Sequence, residues 1–154
     1  MVLAVGGSDP APAVADVARI AVRDLPGPAP AALPGGTLLD VQVGEITFPD
    51  WRRLGWRASG VRRTTVDGRD VTTVEYRRGG QRIGYAIVDE SALDEPATAT
   101  RSVRRGVVYR GLRVDGQATV TWRRAGRTCV LAGDAAPAEL LRLASWRDGG
   151  SLVY

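Results

Sequence analysis

The sequence predicts a mainly β, α+β domain: two consecutive three-stranded antiparallel meanders with a C-terminal helix packed on the sheet. Three observations carry this. Apolar and polar residues alternate from Thr37 onward, a turn–strand–turn pattern occurs twice, and an apolar stripe of helical spacing closes the chain.

The duplicated pattern is the clearest internal signal. Val66-Asp67-Gly68 is followed by Thr73-Val74-Glu75-Tyr76-Arg77-Arg78-Gly79-Gly80, and Val114-Asp115-Gly116 by Thr119-Val120-Thr121-Trp122-Arg123-Arg124-Ala125-Gly126. Each Asp-Gly is a two-residue hairpin signal, because type I′ turns require positive φ that Asp and Gly tolerate. Each Arg-Arg-(Gly/Ala)-Gly marks a second turn, with Gly supplying the left-handed position. The expected strands are therefore about 57–66, 69–78 and 81–88, then 103–114, 117–124 and 127–132. The spacing from Asp-Gly to Thr-Val is two residues shorter in the second copy, which calls for a bulge or a shorter strand start. One sheet and two remain equally compatible with the pattern.

Within these strands Ile83, Tyr85 and Ile87 share one face and Arg82, Gly84 and Ala86 the other. Val74 and Tyr76 oppose Glu75 and Arg77, and Val120 and Trp122 oppose Thr121 and Arg123. Tyr76 and Trp122 hold the same repeat position, so both are expected in a shared core.

Leu39, Val41 and Val43 alternate as in a half-buried strand, and Phe48, Trp51 and Trp56 form a compact aromatic segment expected to plug one end of the core. Between the meanders, Asp89–Pro96 is an acidic crossover loop. After the last strand, Asp134 is placed to cap a helix over 135–146, with Leu140, Leu141 and Ala144 as its apolar stripe. Leu152-Val153-Tyr154 is expected to return as a short edge strand.

Residues 1–36 differ in character. Gly6-Gly7-Ser8-Asp9-Pro10, Leu25–Pro30 and Pro34-Gly35-Gly36 favour an extended, flexible arm. Within it Val14, Val17 and Ala21 fall at helical spacing, predicting one short helix that needs a docking surface. The domain division is thus an arm over 1–36 and a β-rich domain over 37–154.

Composition narrows the chemistry. The chain has no His, Lys or Asn, one cysteine, and all 21 basic residues are Arg. With no His or Lys to accept a proton near neutrality, nucleophilic catalysis lacks its base. One Cys and no His exclude the usual zinc sites and any internal disulfide. Cys129 lies in an apolar run and is expected as a buried small hydrophobe. The carboxylates fall mostly in turns or in the acidic loop. No catalytic, cofactor-binding or metal-binding residue is assigned, and the protein is expected to bind or sense without catalysis.

Charge is uneven: −4 over residues 1–50, +9 over 51–127 and −1 thereafter. A partner-binding surface is therefore placed at Arg77, Arg78, Arg123 and Arg124, suited to an acidic protein. Nucleic acid is disfavoured as partner, because the rings alternate with the arginines and so lie on the opposite face from a stacking platform. No apolar run is long enough to span a bilayer.

Five stretches carry a family resemblance: Phe48-Pro49-Asp50-Trp51, Gly55–Gly60, Arg82-Ile83-Gly84-Tyr85-Ala86-Ile87-Val88, Val120–Leu131 and Glu139–Ala144. From Phe48 to Trp146 the chain resembles the extracytoplasmic region of actinobacterial transmembrane anti-sigma factors. The resemblance implies a sensor or regulatory domain in the cell envelope, responding to an envelope signal or protein partner. In that family a cytoplasmic zinc-type domain binds the sigma factor and one membrane helix follows it. This sequence contains neither, so sigma-factor contact is expected only through a cytoplasmic domain absent from this chain, and membrane attachment only through an upstream helix. Val2-Leu3-Ala4-Val5 is expected to be the stub of that helix. The competing expectation is a free-standing interaction domain binding an acidic partner through its Arg-rich face.

Overall fold

The structure is a computed structural model that describes residues 13–23 and 27–146. The expected stub at Val2–Val5 and edge strand at Leu152–Tyr154 lie outside these residues. The fold is mainly β. A two-stranded sheet, β1 (Leu38–Val43) and β2 (Ile46–Pro49), precedes a 3-10 turn at Arg52–Leu54. A seven-stranded antiparallel sheet follows: β3 (Arg57–Val66), β4 (Arg69–Arg78), β5 (Gln81–Val88), β6 (Thr100–Arg104), β7 (Val107–Val114), β8 (Gln117–Arg124) and β9 (Arg127–Gly133). Its spatial order is β3-β4-β5-β9-β8-β7-β6. Helix α1 (Val14–Ala21) precedes the sheets and α2 (Pro137–Ala144) follows them.

One sheet results because β5 pairs with β9, joining the two meanders at their last strands. Tyr76 and Trp122 stand 46 positions apart in sequence, as do Tyr85 and Leu131, and the last two face each other directly across that seam. The copies are thus related by an approximate twofold normal to the sheet, which keeps equivalent side chains on one face. Both copies send their alternating apolar residues inward, so a single core serves both.

The hairpins close as turn chemistry requires. Asp67-Gly68 and Asp115-Gly116 both have positive φ, at 48° and 81° and at 52° and 80°. The two-residue difference between copies is a shorter strand: β4 has ten residues and β8 eight, and the β7–β8 and β8–β9 registers run without a break. The bulge lies instead between Ala58 and Gly60 in β3.

The strand expected over 103–114 is corrected. It is two strands, β6 and β7, folded about Arg105-Gly106 with φ of 52° and 81°. The second meander therefore gains an edge strand. Arg-Gly carries no strong turn preference, because Arg must accept a left-handed φ that costs most side chains about 1 kcal/mol or more. The same holds at Ala125, with φ of 49°. Ala125→Gly is expected to raise stability by about 1 kcal/mol, read as an upward shift of the denaturation midpoint at constant m-value.

The sheet is covered on both faces. On one, Val74, Tyr76, Ile83, Tyr85, Ile87, Trp122, Cys129 and Leu131 pack against Leu39, Ile46, Phe48, Trp51 and Trp56 and against Leu140 and Leu143 of α2. On the other, Val71, Ala86, Val88, Val130 and Ala132 pack against Val14, Val17, Ala18 and Ala21 of α1 and against Leu93. The segment 14–21 is therefore an integral layer, and the boundary expected at residue 36 does not separate it from the sheet it covers. A helix of eight residues is marginal alone in water, and burial of its apolar stripe supplies what propensity does not.

Gly84 explains how closely α1 sits. A Cβ there would collide with the backbone carbonyl of Ala21. Arg82 then donates to the carbonyl of Val22 at 3.3 Å, bringing a cation to the helix C-terminus.

Helix α2 is shorter than expected and differently capped. It runs over Pro137–Ala144 with Ala136 at its N-cap, while the backbone N–H of Asp134 donates to Arg82 O at 2.8 Å. Pro137 begins the helix two residues later than a cap at Asp134 would allow, its fixed φ suiting the first turn. The fully buried stripe residues are Leu140 and Leu143, with Leu141 and Ala144 at its margin.

Candidate functional site: an aromatic cleft at one end of the sheet

The sequence places a partner-binding surface at Arg77, Arg78, Arg123 and Arg124. The two Arg-Arg turns lie at opposite ends of the sheet, since β5 and β9 run antiparallel. The registers separate Arg78 from Arg124 by roughly 25 Å along the strands, at about 3.3 Å per residue. The four side chains therefore form no continuous surface.

Three of them hold the fold together. Arg77 pairs at 3.0 Å with Glu75, which is buried beside the bulge and accepts a 2.8 Å hydrogen bond from the Ser59 hydroxyl. Arg78 lies 4.3 Å over the ring of Trp56 and 3.4 Å from Glu139 of α2. Arg123 donates to the Leu93 carbonyl at 2.7 Å.

Leu93 belongs to the acidic crossover loop, whose carboxylates pair with several arginines. Its carboxylates meet arginines of the sheet it crosses: Asp89 with Arg127 at 3.0 Å and Glu95 with Arg110 at 2.6 Å. A hydrogen bond from Glu90 N–H, then that of Arg127, lowers the Asp89 pKa, and the Arg110 hydrogen bond lowers that of Glu95. The loop also buries Leu93, whose N–H donates to Thr128 Oγ1 at 2.8 Å. Other arginines, Arg57, Arg62, Arg63, Arg101 and Arg104, sit exposed on edge strands β3 and β6, where charge discourages further strand pairing.

The fourth arginine borders a cleft that sequence reasoning did not assemble. It lies where the β1–β2 turn, the segment at Trp51, the β6–β7 and β8–β9 turns and the C-terminal end of α2 converge, with a volume of about 560 Å³. Its walls include Trp51, Tyr85, Tyr109, Trp122 and Trp146, and Arg105, Arg124 and Glu45 line it as well. The rings form a continuous array. Trp51 stacks on Tyr85 with centroids 5.8 Å apart and planes at 16°, Tyr85 meets Trp122 at 5.4 Å, and Trp122 meets Tyr109 at 5.7 Å.

Two polar features lie beside this cleft. The indole Nε1 of Trp51 is buried and has no hydrogen-bond partner, which is uncommon because an unsatisfied buried donor costs about 1–3 kcal/mol. The guanidinium of Arg124 acts electrostatically on both Tyr85 and Cys129, so its charge reaches the cleft floor. The sequence traces of the site were Arg123 and Arg124, expected on a partner-binding surface, and the aromatic segment at Trp51, which core packing also explains.

Cys129 lies beneath these rings, fully buried and unpaired. Burial pushes its thiol pKa up to about 12 from an ordinary 9.0, against smaller opposing effects of the Tyr85 hydrogen bond and Arg124. The native thiol is therefore expected to ignore a disulfide reagent at pH ~8 until denaturant is added, because the thiolate is the nucleophile. The neutral thiol favours the folded state. Its contribution is complete below the unfolded value near 9.0 and is lost as pH rises toward 12, which pH-dependent melting of Cys129→Ala against the parent would register.

Among the described residues, no three His, Cys, Asp or Glu side chains gather as a metal ion would require, and no helix is long and apolar enough to cross a membrane. Comparison with protein-family models, with curated proteins and with solved structures yields no match.

Proposed function

We propose that this chain is a non-catalytic sensor or regulatory domain of an anti-sigma-factor-like membrane protein, acting outside the cytoplasm. The observation that carries this reading is the resemblance spanning Phe48–Trp146, whose motifs fall on the elements that build the aromatic core and the cleft. Phe48, Trp51 and Trp56 seat the β1–β2 layer on the sheet, and Tyr85, Trp122 and Cys129 form the opposing surface. A concave, aromatic-walled site with few polar groups suits ligand recognition. Its lining offers no proton-accepting imidazole or amine, and the one thiol of the chain, Cys129, is buried away from it and protonated.

The test is topological and then transcriptional. An epitope tag inserted in the native gene at the Gly79-Gly80 turn is expected to be removed by protease added to intact spheroplasts. Deleting the segment that encodes residues 37–146 is expected to change transcription of genes under the linked sigma factor. A tag protected in intact spheroplasts and cleaved only after lysis would overturn the reading.

A further inference from the structure

We propose that the outer edge of β6 is a docking site for an extended acidic segment of a partner protein, which joins the sheet antiparallel to β6. The backbone of Arg101 and Val103 holds the added strand, Arg101 and Arg104 select its charge, and a groove beside α2 receives one of its apolar side chains. This goes beyond the sensor reading and does not depend on it, since the docking chemistry is local.

The two edges of the sheet differ. Edge strand β3 carries the bulge between Ala58 and Gly60, and Gly27 packs so closely on it that a Cβ there would collide with the Val61 carbonyl. Bulges and covering segments are the usual guards of a sheet edge. On the outer side of β6 no strand pairs among the described residues, and its register with β7 runs unbroken. The β6–β7 hairpin turns on two residues, Arg105-Gly106, and is closed by the pair Arg104–Val107. Hydrogen-bonded and non-hydrogen-bonded pairs alternate along an antiparallel ladder, so Arg104, Ser102 and Thr100 bond to β7. The N–H and C=O groups of Arg101 and Val103 therefore point outward, toward an incoming strand.

The side chains beside this edge fit one kind of occupant. Ser102 stands opposite Tyr109, so Thr100, Ser102 and Arg104 share the α2 face, and Arg101 and Val103 the other. On the α2 face a groove of about 340 Å³ lies between Thr100 and Ser102 at the edge and Pro137 and Leu141 of the helix. Gly111, opposite Thr100, also lines it and has no side chain to fill the space. On the other face Val103 is 52% exposed, the one large exposed hydrophobic among the described residues. A strand laid along β6 sends alternate side chains to the two faces, covering Val103 with one and entering the groove with the next.

Charge decides which strand. Arg101 and Arg104 are exposed and make no hydrogen bond or ion pair among the described residues. Arg101 acts electrostatically on Glu95, which Arg110 already holds at 2.6 Å, and Glu45 shares the neighbouring cleft with Arg105. Like charges at Arg101 and Arg104 oppose pairing with a second β6, whereas carboxylates directly opposite them are favoured. The residues that guard the edge against another copy thus choose an acidic partner.

The probe is the peptide acetyl-Glu-Val-Phe-Glu-Val-amide, whose residues lie in turn opposite Arg104, Val103, Ser102, Arg101 and Thr100. Titrated into the full chain, it is expected to move the Arg101 and Val103 amide signals downfield in ¹H–¹⁵N spectra as they gain acceptors. N-methylation of the peptide's second and fourth residues removes the donors that face β6 and should weaken binding about tenfold. N-methylation of the third, whose N–H points away, should not. The double variant Arg101→Glu, Arg104→Glu changes exposed side chains outside the core. It should weaken the acidic peptide about tenfold and shift preference to acetyl-Lys-Val-Phe-Lys-Val-amide. Unmoved Arg101 and Val103 amides at millimolar peptide, equal affinity for the doubly N-methylated form, or indifference to the charge reversal overturns the proposal. Movement of the same amides with protein concentration alone, together with a dimer in sedimentation, would assign the edge to a second copy and overturn it as well. Every one of these results is independent of the spheroplast experiment, so failure of the docking edge and failure of the sensor reading remain distinguishable.

Discussion

Gly84→Val is expected to lower stability by about 2–3 kcal/mol and to lift α1 from the sheet, the upper part of the cost range for forcing volume into a packed interior. The collision is with the Ala21 carbonyl, a backbone atom at the end of α1, so no side-chain rotation relieves it. Val is a better strand former than Gly, and local preference alone would predict a gain. The sign of the effect therefore separates tertiary packing from strand propensity. Denaturant titration of Gly84→Ala and Gly84→Val gives the graded series. Loss of amide protection at Val17 and Ala18 would locate the damage in α1, whereas a Gly84→Val protein as stable as the parent would mean that α1 does not occupy this groove.

Tyr85→Ala should cost more, about 3–5 kcal/mol, comparable with other large-to-small aromatic deletions in cores. Tyr85 is 2% exposed and lies on the pseudo-twofold seam between the meanders. Its ring touches Phe48 at 4.9 Å, Trp122 at 5.4 Å and Trp51 at 5.8 Å, so one deletion unseats aromatic contacts from three elements. Since whole domains retain only about 5–15 kcal/mol, such a loss leaves the fold marginal. Tyr85→Phe keeps the ring and removes only the hydroxyl that contacts Cys129, and should cost about 1 kcal/mol. Thermal melts of the two variants check the contrast. Equal midpoints would show that the hydroxyl, and not the ring array, holds this part of the core.

Charge pairing in this protein depends on its tertiary structure. The many arginines of residues 51–127 suggested an anionic partner, but Arg110 and Arg127 pair with Glu95 and Asp89 of the acidic loop within the same molecule. Both halves of this match were visible as composition. Their meeting depends on β6 lying at the far edge, so that the loop must cross β9, β8 and β7 to reach it.

What the sequence by itself determined is local: the strands on either side of each Asp-Gly turn, the inward and outward side chains, the shared placement of Tyr76 and Trp122, and the burial of Cys129. These follow from positive φ at particular residue types and from the two-residue period of a strand, both written in neighbouring positions. Tertiary structure decided the rest. It joined β5 to β9, folded 100–114 at Arg105-Gly106, pressed α1 against Gly84, and drew Trp51, Tyr85, Tyr109, Trp122 and Trp146 into one cleft. The physical reason is that hydrogen bonding between strands is indifferent to side-chain identity, so the choice of partner strand rests on the total burial each arrangement achieves. That quantity belongs to the whole chain, and no window of neighbouring residues contains it.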